Sequence, residues 1–270
     1  MSQVKQTLAT PLNSIQSQKF GRRVYQLKQG DQFFWLKLQL KNINTDYEQG
    51  FLNELNCYTQ LNALERSDQN VLCDFAIFNP YQQFQMDEAV IEQAIWVKHC
   101  DLLFESAHDQ FTQDDIYTKL MLSLDVLENL HDYDFIHGDL KLQHFRYMQQ
   151  SSYLIDFEHA FCRQQQRCLF NGATHATPRY MAPELFHGQA KSFQSDIYAL
   201  GIIWLEWLNQ QRLLAKSYQD WAILHCQQLN VCLPDRFKYL ECILKSMLNK
   251  KIEQRCSNIY QIKQVLSQIV

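Results

Sequence analysis

The sequence predicts an α+β fold with a small β-rich part followed by a larger helical part. Three observations predict it: a hairpin-like run of aromatic and β-branched residues near the start, leucines at helical spacing after Thr112, and no linker or internal repeat between them. Of the 270 residues, 46% are apolar and 20% are charged, which is a globular composition. We therefore predict a single domain over residues 1–270, with lobes of about 1–98 and 101–270.

The predicted small lobe starts with two strands. Arg22–Leu27 and Gln32–Leu40 alternate in aromatic and β-branched residues, and Gly30-Asp31 between them is typical of a tight turn. Apolar residues at three- and four-residue intervals then predict a helix from Asp46 to Leu64, with Asp46 as its N-cap. Two further strands are predicted, at Val71–Phe78 and Ala94–Cys100.

The predicted large lobe is mostly helical. Thr112 and Asp115 have capping-box spacing, and the leucine repeat that follows them predicts a helix as far as Leu130. Ser152–Phe157 is predicted to be a short strand. Four further helices are predicted near residues 196–210, 218–229, 236–248 and 258–269.

Charge and cysteine usage exclude several classes of protein. The net charge of −4 argues against nucleic-acid binding, which needs a basic surface. Nine scattered cysteines without a C-x-x-C pair indicate free thiols in a reducing compartment. No apolar run reaches the roughly 20 residues that a transmembrane helix needs. We therefore expect a cytoplasmic protein without a transmembrane segment, and leave open a peripheral association with the inner membrane face.

Four segments stand in an order that is informative about chemistry. They read His137-Gly-Asp-Leu-Lys-Leu-Gln-His, Ile155-Asp-Phe-Glu, Thr177-Pro-Arg-Tyr-Met-Ala-Pro-Glu and Ser195-Asp-Ile-Tyr-Ala-Leu-Gly. In this order they resemble the C-terminal lobe of the protein-kinase superfamily, with its H-R-D-L-K-x-x-N and D-F-G motifs, its activation-segment end and its large buried helix. The resemblance implies a two-lobed kinase fold, with ATP in the cleft between the lobes.

The resemblance also implies the roles of the central residues, because phosphoryl transfer needs groups that position the phosphates and neutralise their charge. Asp139 would face the attacking hydroxyl group, and Lys141 would reach the γ-phosphate. Asp156 would hold the metal ion. Lys37 would bind the α- and β-phosphates and would itself be held by Glu54.

Other residues match the family in supporting positions. Thr177 would bond near Lys141, and Glu184 of the A-P-E motif would pair with Arg255. Gly21 would be the one glycine of the phosphate loop, and Val97 and His99 would lie near the adenine-binding hinge. Asp196 is expected to cap its helix and to bond the catalytic loop.

The chain departs from the family pattern at four positions. Gly21 is the one glycine where the family has G-x-G-x-x-G, so Arg22 and Arg23 are candidates to supply charge there. His144 stands at the position of the second metal-binding Asn; it either binds the metal, which would favour Mn²⁺, or braces Asp139. Glu158 replaces the Gly of D-F-G, and either adds a metal ligand or faces solvent.

The fourth departure is Gly138, which replaces the Arg that binds a phosphate on the activation loop in the family. We therefore expect activity that does not depend on phosphorylation of Thr174 or Thr177. Arg163 and Arg167, in the same segment, are expected to be solvated.

Three functions remain open. The first is an atypical, bacterial-type kinase that uses ATP with Mg²⁺ or Mn²⁺ to phosphorylate Ser or Thr of a protein. The second is a sugar kinase, since Asp139…His144-Phe145 and Ile155-Asp156…Ala160 are similar to bacterial lipopolysaccharide-core sugar kinases. The third is a pseudokinase that serves as an interaction scaffold.

Overall fold

The chain folds into two compact units, each described here by itself. The computed structural model describes residues 6–64, 66, 69–105, 111–165 and 176–269. The first unit comprises Met1–Ala63, Leu72–Asp101 and Asp156–Glu158, and the second comprises Leu64–Val71, Leu102–Ile155 and His159–Val270. The expectations for Arg167 and Thr174 lie outside the described residues.

The first unit is built on a four-stranded antiparallel sheet. The described strands of the first unit are β1 (Gln6–Thr7), β2 (Arg22–Gln29), β3 (Gln32–Gln39), β4 (Phe75–Phe78), β5 (Phe84–Gln85) and β6 (Ala94–Lys98). The sheet has the order β2-β3-β6-β4, and β1 pairs with β5 in parallel. The predicted hairpin is therefore confirmed, and its inner face packs around a core of Tyr25, Leu36, Leu38, Phe84 and Ala94.

Two strand predictions in this unit are too long. Within the predicted strand Val71–Phe78, the observed strand begins only at Phe75. Within the predicted strand Ala94–Cys100, the observed strand ends at Lys98. The carbonyl of Val71 instead accepts a hydrogen bond from the N–H of Leu154 within the second unit. An apolar run predicts burial but not the partner of the backbone, which is why the pattern extends beyond the sheet.

The described residues of the first unit form two α-helices, α1 (Ile15–Lys19) and α2 (Thr45–Leu64, whose last residue belongs to the second unit). The prediction of Asp46 as the N-cap of α2 is wrong. Asn44 caps the helix, because its Oδ1 accepts the N–H of Tyr47 at 3.0 Å and its carbonyl accepts the N–H of Glu48. Asp46 lies in the first turn, where a carboxylate is favourable next to the helix dipole.

The second unit is mostly helical, as predicted. Its strands are β7 (Asp101–Leu102, which begins in the first unit), β8 (Phe135–Ile136), β9 (Phe145–Met148), β10 (Ser151–Leu154) and β11 (Phe161–Cys162). Its α-helices are α3 (Gln113–Asp132), α4 (Pro183–Phe186), α5 (Phe193–Asn209), α6 (Tyr218–Ile223), α7 (Glu241–Met247) and α8 (Ile259–Ile269). The α+β class is therefore confirmed, with a β-sheet lobe and a helical lobe.

Helix caps account for the start of the two long helices. The capping box predicted for α3 is present, because Thr112 and Asp115 exchange side-chain to backbone hydrogen bonds in both directions. A second capping box starts α5, in which Ser192 is the N-cap and Ser195 completes the box. The expectation that Asp196 caps this helix is therefore wrong; Asp196 lies one residue further along, inside the first turn.

Helical geometry varies in the later segments. The helix predicted near 218–229 is α-helical to Ile223 and then forms a π-turn over Leu224–Gln228. The helix predicted near 236–248 starts as a 3₁₀ segment, Asp235–Leu240, before α7. Other 3₁₀ segments are Pro80–Gln82, Leu142–His144, Arg163–Gln165, Pro178–Tyr180 and Ile252–Gln254.

The strand predicted at Ser152–Phe157 is also shorter than expected, since β10 ends at Leu154. Asp156 has φ = +68°, in the left-handed region that an extended strand cannot include. The chain turns at this point, so that Asp156 and the two residues after it belong to the first unit.

Two further expectations concern membrane-spanning helices and the state of the cysteines. None of the described helices is long and apolar enough to cross a membrane. All eight described cysteines are free thiols, as the scattered pattern predicts.

Gly21 is required by the local backbone and packing. Its φ is +87°, and a Cβ atom there would lie 2.6 Å from Nε2 of Gln39. That amide donates to the carbonyl of Phe20 at 2.9 Å, so it is fixed in place. Gly30 also has a positive φ, +61°, but a Cβ atom there would meet no atom within 4 Å.

We predict that Gly21→Ala destabilises the protein more than Gly30→Ala. Both substitutions carry the left-handed penalty of about 1–2 kcal/mol, and Gly21→Ala adds an overpacking cost of about 1–3 kcal/mol. Urea denaturation of the two variants measures the difference. Equal losses of unfolding free energy would mean that Gln39 moves aside without cost.

Candidate active site

Lys37 is at the centre of a buried charge cluster in the first unit. Its Nζ lies 2.7 Å from Oε2 of Glu54 on α2, 2.9 Å from Oδ1 of Asp156 and 2.6 Å from Oε1 of Glu158. Glu54 is therefore the helix carboxylate that contacts Lys37. Glu48, in the first turn of the same helix, instead accepts the N–H of Ile43 at 3.1 Å.

Arg22 supplies a second cation to this cluster. Its Nη1 lies 2.5 Å from Oε1 of Glu158 and 3.9 Å from Oε2 of Glu54. Its Nε donates to Oε1 of Gln39 at 3.0 Å, and its guanidinium carbon lies 5.1 Å from the ring centre of Phe51. Arg22 is only 3% exposed, so its charge is directed to the cluster and not to solvent.

Burial and neighbouring charges act in opposite directions on this cluster. Burial lowers the pKa of Lys37, but Asp156, Glu158 and Glu54 raise it by more, so that its pKa lies above the ordinary value and it remains an ammonium ion. The pKa of Glu54 is raised to about 7, because burial, with Asp156 and Glu158, raises it by more than Lys37 and Arg22 lower it. Three carboxylates thus share two cations.

The carboxylates of this cluster fit a hard divalent cation. One ligand atom from each of Glu54, Asp156 and Glu158 lies within 4.8 Å of the others. Carboxylate oxygens are the ligands that Mg²⁺ and Mn²⁺ prefer. The expectation that Glu158 faces solvent is wrong, because its carboxylate contacts both Lys37 and Arg22.

The segment before β2 has a helix where a glycine-rich loop was expected. Helix α1 begins after Ser14, whose Oγ accepts the N–H of Ser17 at 3.2 Å. Gly21 follows this helix and donates its N–H to the carbonyl of Gln18. Arg23 forms an ion pair with Glu88 at 3.1 Å.

The two residues predicted to form the hinge lie in β6 and just after it. Val97 pairs with Trp35 on β3 and with Phe75 on β4. The N–H of His99 donates to the carbonyl of Phe33, and Nδ1 of its ring accepts the indole N–H of Trp35 at 2.8 Å. Because the backbone N–H of His99 already donates to Phe33, His99 could contact a nucleotide base only through atoms other than this N–H.

In the second unit, Asp139 is held at both carboxylate oxygens. Oδ1 accepts the backbone N–H of Thr177 at 2.7 Å, and Oδ2 lies 2.9 Å from Nζ of Lys141. Burial would raise the pKa of Asp139, but Lys141, with smaller contributions from His144 and His159, lowers it below the ordinary value. Asp139 is therefore an ionised carboxylate that can accept a proton only when a stronger acid develops next to it.

Asp196 fixes the backbone just before Asp139. It is 1% exposed, and its carboxylate accepts the N–H groups of His137 at 2.8 Å and Gly138 at 2.9 Å. Nε2 of His131 lies 3.2 Å from the same carboxylate. The second part of the expectation for Asp196, that it bonds the catalytic loop, matches this geometry.

Two histidines of the catalytic loop stack on each other. The rings of His137 and His144 are 5.4 Å apart with an interplanar angle of 29°, and both are buried. Burial lowers the pKa of His137 to about 4, so its ring is neutral, and Nε2 lies 3.2 Å from the carbonyl oxygen of Ile155. His137 therefore braces the loop.

Glu184 and Arg255 form a buried two-pronged ion pair. The two Glu184 oxygens lie 2.6 and 2.8 Å from Nη1 and Nη2 of Arg255. Arg255 also donates to the carbonyls of Asn249 and Gln194, both at 3.0 Å. Arg163, expected to be solvated, is largely exposed but pairs with Asp134 at 2.8 Å.

Sequence reasoning missed Lys191, which is 7% exposed and lies against Gly138. The signal that could have found it is the missing side chain at position 138, because a space left inside a packed protein must be filled by another residue.

Comparisons with known proteins agree with these motifs. The family model described as protein kinase domain matches residues 20–268. The chain is 33% identical over 107 residues to the Caenorhabditis elegans mitogen-activated protein kinase kinase kinase mom-4, covering 38% of this chain and 19% of that protein. It is 30% identical over 124 residues to the Danio rerio dual serine/threonine and tyrosine protein kinase, covering 44% of this chain and 14% of that protein.

The structure of the PK-1 kinase of Cydia pomonella granulovirus has a similar fold. The TM-score is 0.64 at 17% sequence identity, over 94% of this chain and 91% of the viral chain. Because the family model matches most of its length, this chain belongs to the protein kinase family. It spans less than a fifth of the curated relatives described above.

We predict that Lys37→Met abolishes phosphoryl transfer while the protein remains folded. The ammonium that contacts three carboxylates is lost, but Arg22 still pairs with Glu158 and Glu54. Transfer of labelled phosphate measures the effect, and circular dichroism checks the fold. Lys41→Met is the control, since Lys41 lies on the surface and pairs with exposed Glu92. Full activity of Lys37→Met would remove Lys37 from the active site.

Proposed function

We propose that this member of the protein kinase family transfers the γ-phosphoryl group of ATP to a Ser or Thr hydroxyl group of a protein. The observation that carries the proposal is the state of Asp139, an ionised and nearly buried carboxylate held by Thr177 and Lys141. A carboxylate held in this way can orient a hydroxyl group and accept its proton as the phosphoryl group leaves ATP.

The first unit supplies the charges that phosphates require. Lys37 is protonated and held by Glu54, so it is suited to bind the α- and β-phosphates. Asp156, with Glu158 in support, would hold Mg²⁺ or Mn²⁺, which neutralises phosphate charge and orients the γ-phosphoryl group when bound. Arg22 lies 2.5 Å from Glu158 and so offsets part of the negative charge that this added carboxylate brings close to Lys37.

The choice of a Ser or Thr acceptor rests on Lys141 and Thr177. Lys141 lies two residues after Asp139 and contacts its carboxylate, so both groups act on the same atoms in the proposed reaction. The names of the relatives described above include serine/threonine and tyrosine kinases, which supports a protein acceptor. Those relatives come from animals, and a bacterial type of enzyme remains a prediction from the sequence.

One specific observation favours a second function, a pseudokinase scaffold. Glu158 lies 2.6 Å from Nζ of Lys37, at the position where the family has a glycine. A carboxylate so close to the phosphate-binding lysine competes with phosphate for the same cation. A sugar kinase, the other alternative, requires the same Asp139 and differs only in its acceptor.

The test is incubation of the pure protein with labelled ATP and either Mg²⁺ or Mn²⁺. We expect label on the protein itself or on a mixed protein substrate. We also expect Asp139→Asn to lower the rate by about 10²–10⁴-fold, the usual contribution of a general base. Asp235→Asn is the matched control, because the Asp235 side chain is 92% exposed and distant in sequence.

Four other results would contradict the proposal or an expectation that accompanies it. Label on an added sugar or lipid alone would favour the sugar kinase. No label, together with no thermal stabilisation by ATP, would favour the scaffold. Equal rates for Asp139→Asn and wild type would exclude Asp139 as the base. Loss of activity after phosphatase treatment would contradict the expected independence from activation-loop phosphorylation.

A further prediction concerns metal preference. If His144 binds the metal, the wild type should prefer Mn²⁺, and His144→Asn should shift the preference towards Mg²⁺ by about tenfold. His187→Asn is the control, since His187 is exposed. Rates measured with each metal at several pH values distinguish the two roles. An unchanged preference would mean that His144 acts only as a brace, through its stacking on His137.

A further inference from the structure

Position 138 lacks a side chain, and another residue fills the space. Gly138 has φ = +74°, and a Cβ atom there would lie 2.8 Å from Cδ and 3.0 Å from Nζ of Lys191. The same atom would lie 2.9 Å from the carbonyl oxygen of His159. The end of the Lys191 side chain therefore packs directly on the backbone of the catalytic loop, one residue before Asp139.

Lys191 is unusual in being buried. It is 7% exposed, whereas lysines are almost never fully buried unless they are paired. Burial lowers its pKa to about 8, and Asp139 and Asp196 act against this effect. Its ammonium group therefore lies in the field of two carboxylates, and at neutral pH most of it is charged.

The position of Lys191 along the chain makes a charge there costly. Lys191 immediately precedes Ser192, the N-cap of α5. The start of a helix carries a partial positive charge, which disfavours a nearby cation. A buried ammonium at this end of a helix is tolerated only when carboxylates compensate it, and Asp139 and Asp196 are the acidic groups whose charges act on it.

These two carboxylates organise the catalytic loop. Asp196 accepts the N–H groups of His137 and Gly138, and Asp139 accepts the N–H of Thr177. Lys141 already pairs with Asp139, but two buried carboxylates close to the same short segment still repel each other. One ammonium that attracts both would keep both hydrogen-bonding arrangements in place.

We propose that Lys191 is a positioning residue for phosphoryl transfer, whose ammonium group holds Asp139 and Asp196 through the space left free by Gly138. The proposal rests on the proposed function, because it assigns Asp139 a role in the reaction. It also accounts for the expected independence from loop phosphorylation, since the charges of two carboxylates already act on the cation at this place.

The test compares Lys191→Met, Lys191→Arg and the exposed control Lys251→Met. Methionine keeps the aliphatic volume but removes the charge. We expect Lys191→Met to lower kcat by about 10–100-fold, the range typical of residues that orient a reacting group, with KM for ATP unchanged within about twofold. Lys191→Arg should keep at least about a third of the wild-type kcat, and Lys251→Met should equal the wild type.

A second measurement does not depend on activity. Hydrogen exchange of the peptide that covers residues 136–140 should become about tenfold faster in Lys191→Met than in Lys251→Met. If the wild type transfers no phosphate, the proposed function fails, and this exchange measurement alone decides the role of Lys191. Unchanged exchange would overturn the proposal.

The remaining outcomes are also decisive. Wild-type kcat in Lys191→Met would mean that the side chain only fills space, and would overturn the proposal. A Lys191→Arg variant that is no better than Lys191→Met, whether inactive or unfolded, would overturn it as well. If Lys191→Met fails to fold while Lys191→Arg folds and is active, the charge itself holds the loop, as proposed.

Discussion

One buried ammonium group holds together three segments of the first unit that are distant in sequence. Lys37 on β3 contacts Glu54 on α2 and both Asp156 and Glu158 of the segment that returns to this unit. Glu54 is the most buried of these charges, and a buried carboxylate is costly unless a cation compensates it. Lys37 thus helps to hold α2 and the turn at Asp156 against the sheet, and Arg22 supplies a second cation to the same carboxylates.

In the second unit, too, one charged side chain holds together segments that are distant in sequence, here through hydrogen bonds. Its most buried helix, α5, carries Asp196 in the first turn, and the carboxylate binds two successive backbone N–H groups of the catalytic loop. Hydrogen bonds to a charged acceptor are about twice as strong as neutral ones. The loop that bears Asp139 is thus fixed to a helix whose side chains are nearly all buried, so the placement of Asp139 follows from the packing of that helix.

The sequence predicts the parts of this protein that depend on local pattern or on motif order. The β2–β3 hairpin and the capping box of α3 follow from the local residue pattern, and the contact of Lys37 with Glu54 follows from the resemblance to the kinase motifs. Contacts such as Arg22 with Glu158 join residues far apart along the chain without any periodic signal, so they were not predicted. Cap residues were misassigned at Asp46 and Asp196 for a related reason. Several polar residues near a helix start can cap it, and only the backbone geometry decides which one does.

Departures from the family motif occur together with compensating residues. Glu158 adds a carboxylate, and Arg22 adds the cation that meets it. Gly138 removes a side chain, and Lys191 fills the space with another cation. Such compensation restores charge balance, but it does not make the fold more stable than an apolar core would, because buried ion pairs are often neutral or unfavourable relative to apolar residues of the same volume. Stability alone therefore does not explain these charges. Their positions beside Lys37 and beside Asp139 are consistent with the proposed transfer of phosphate, whereas the contact of Glu158 with Lys37 is the feature that a scaffold would also explain.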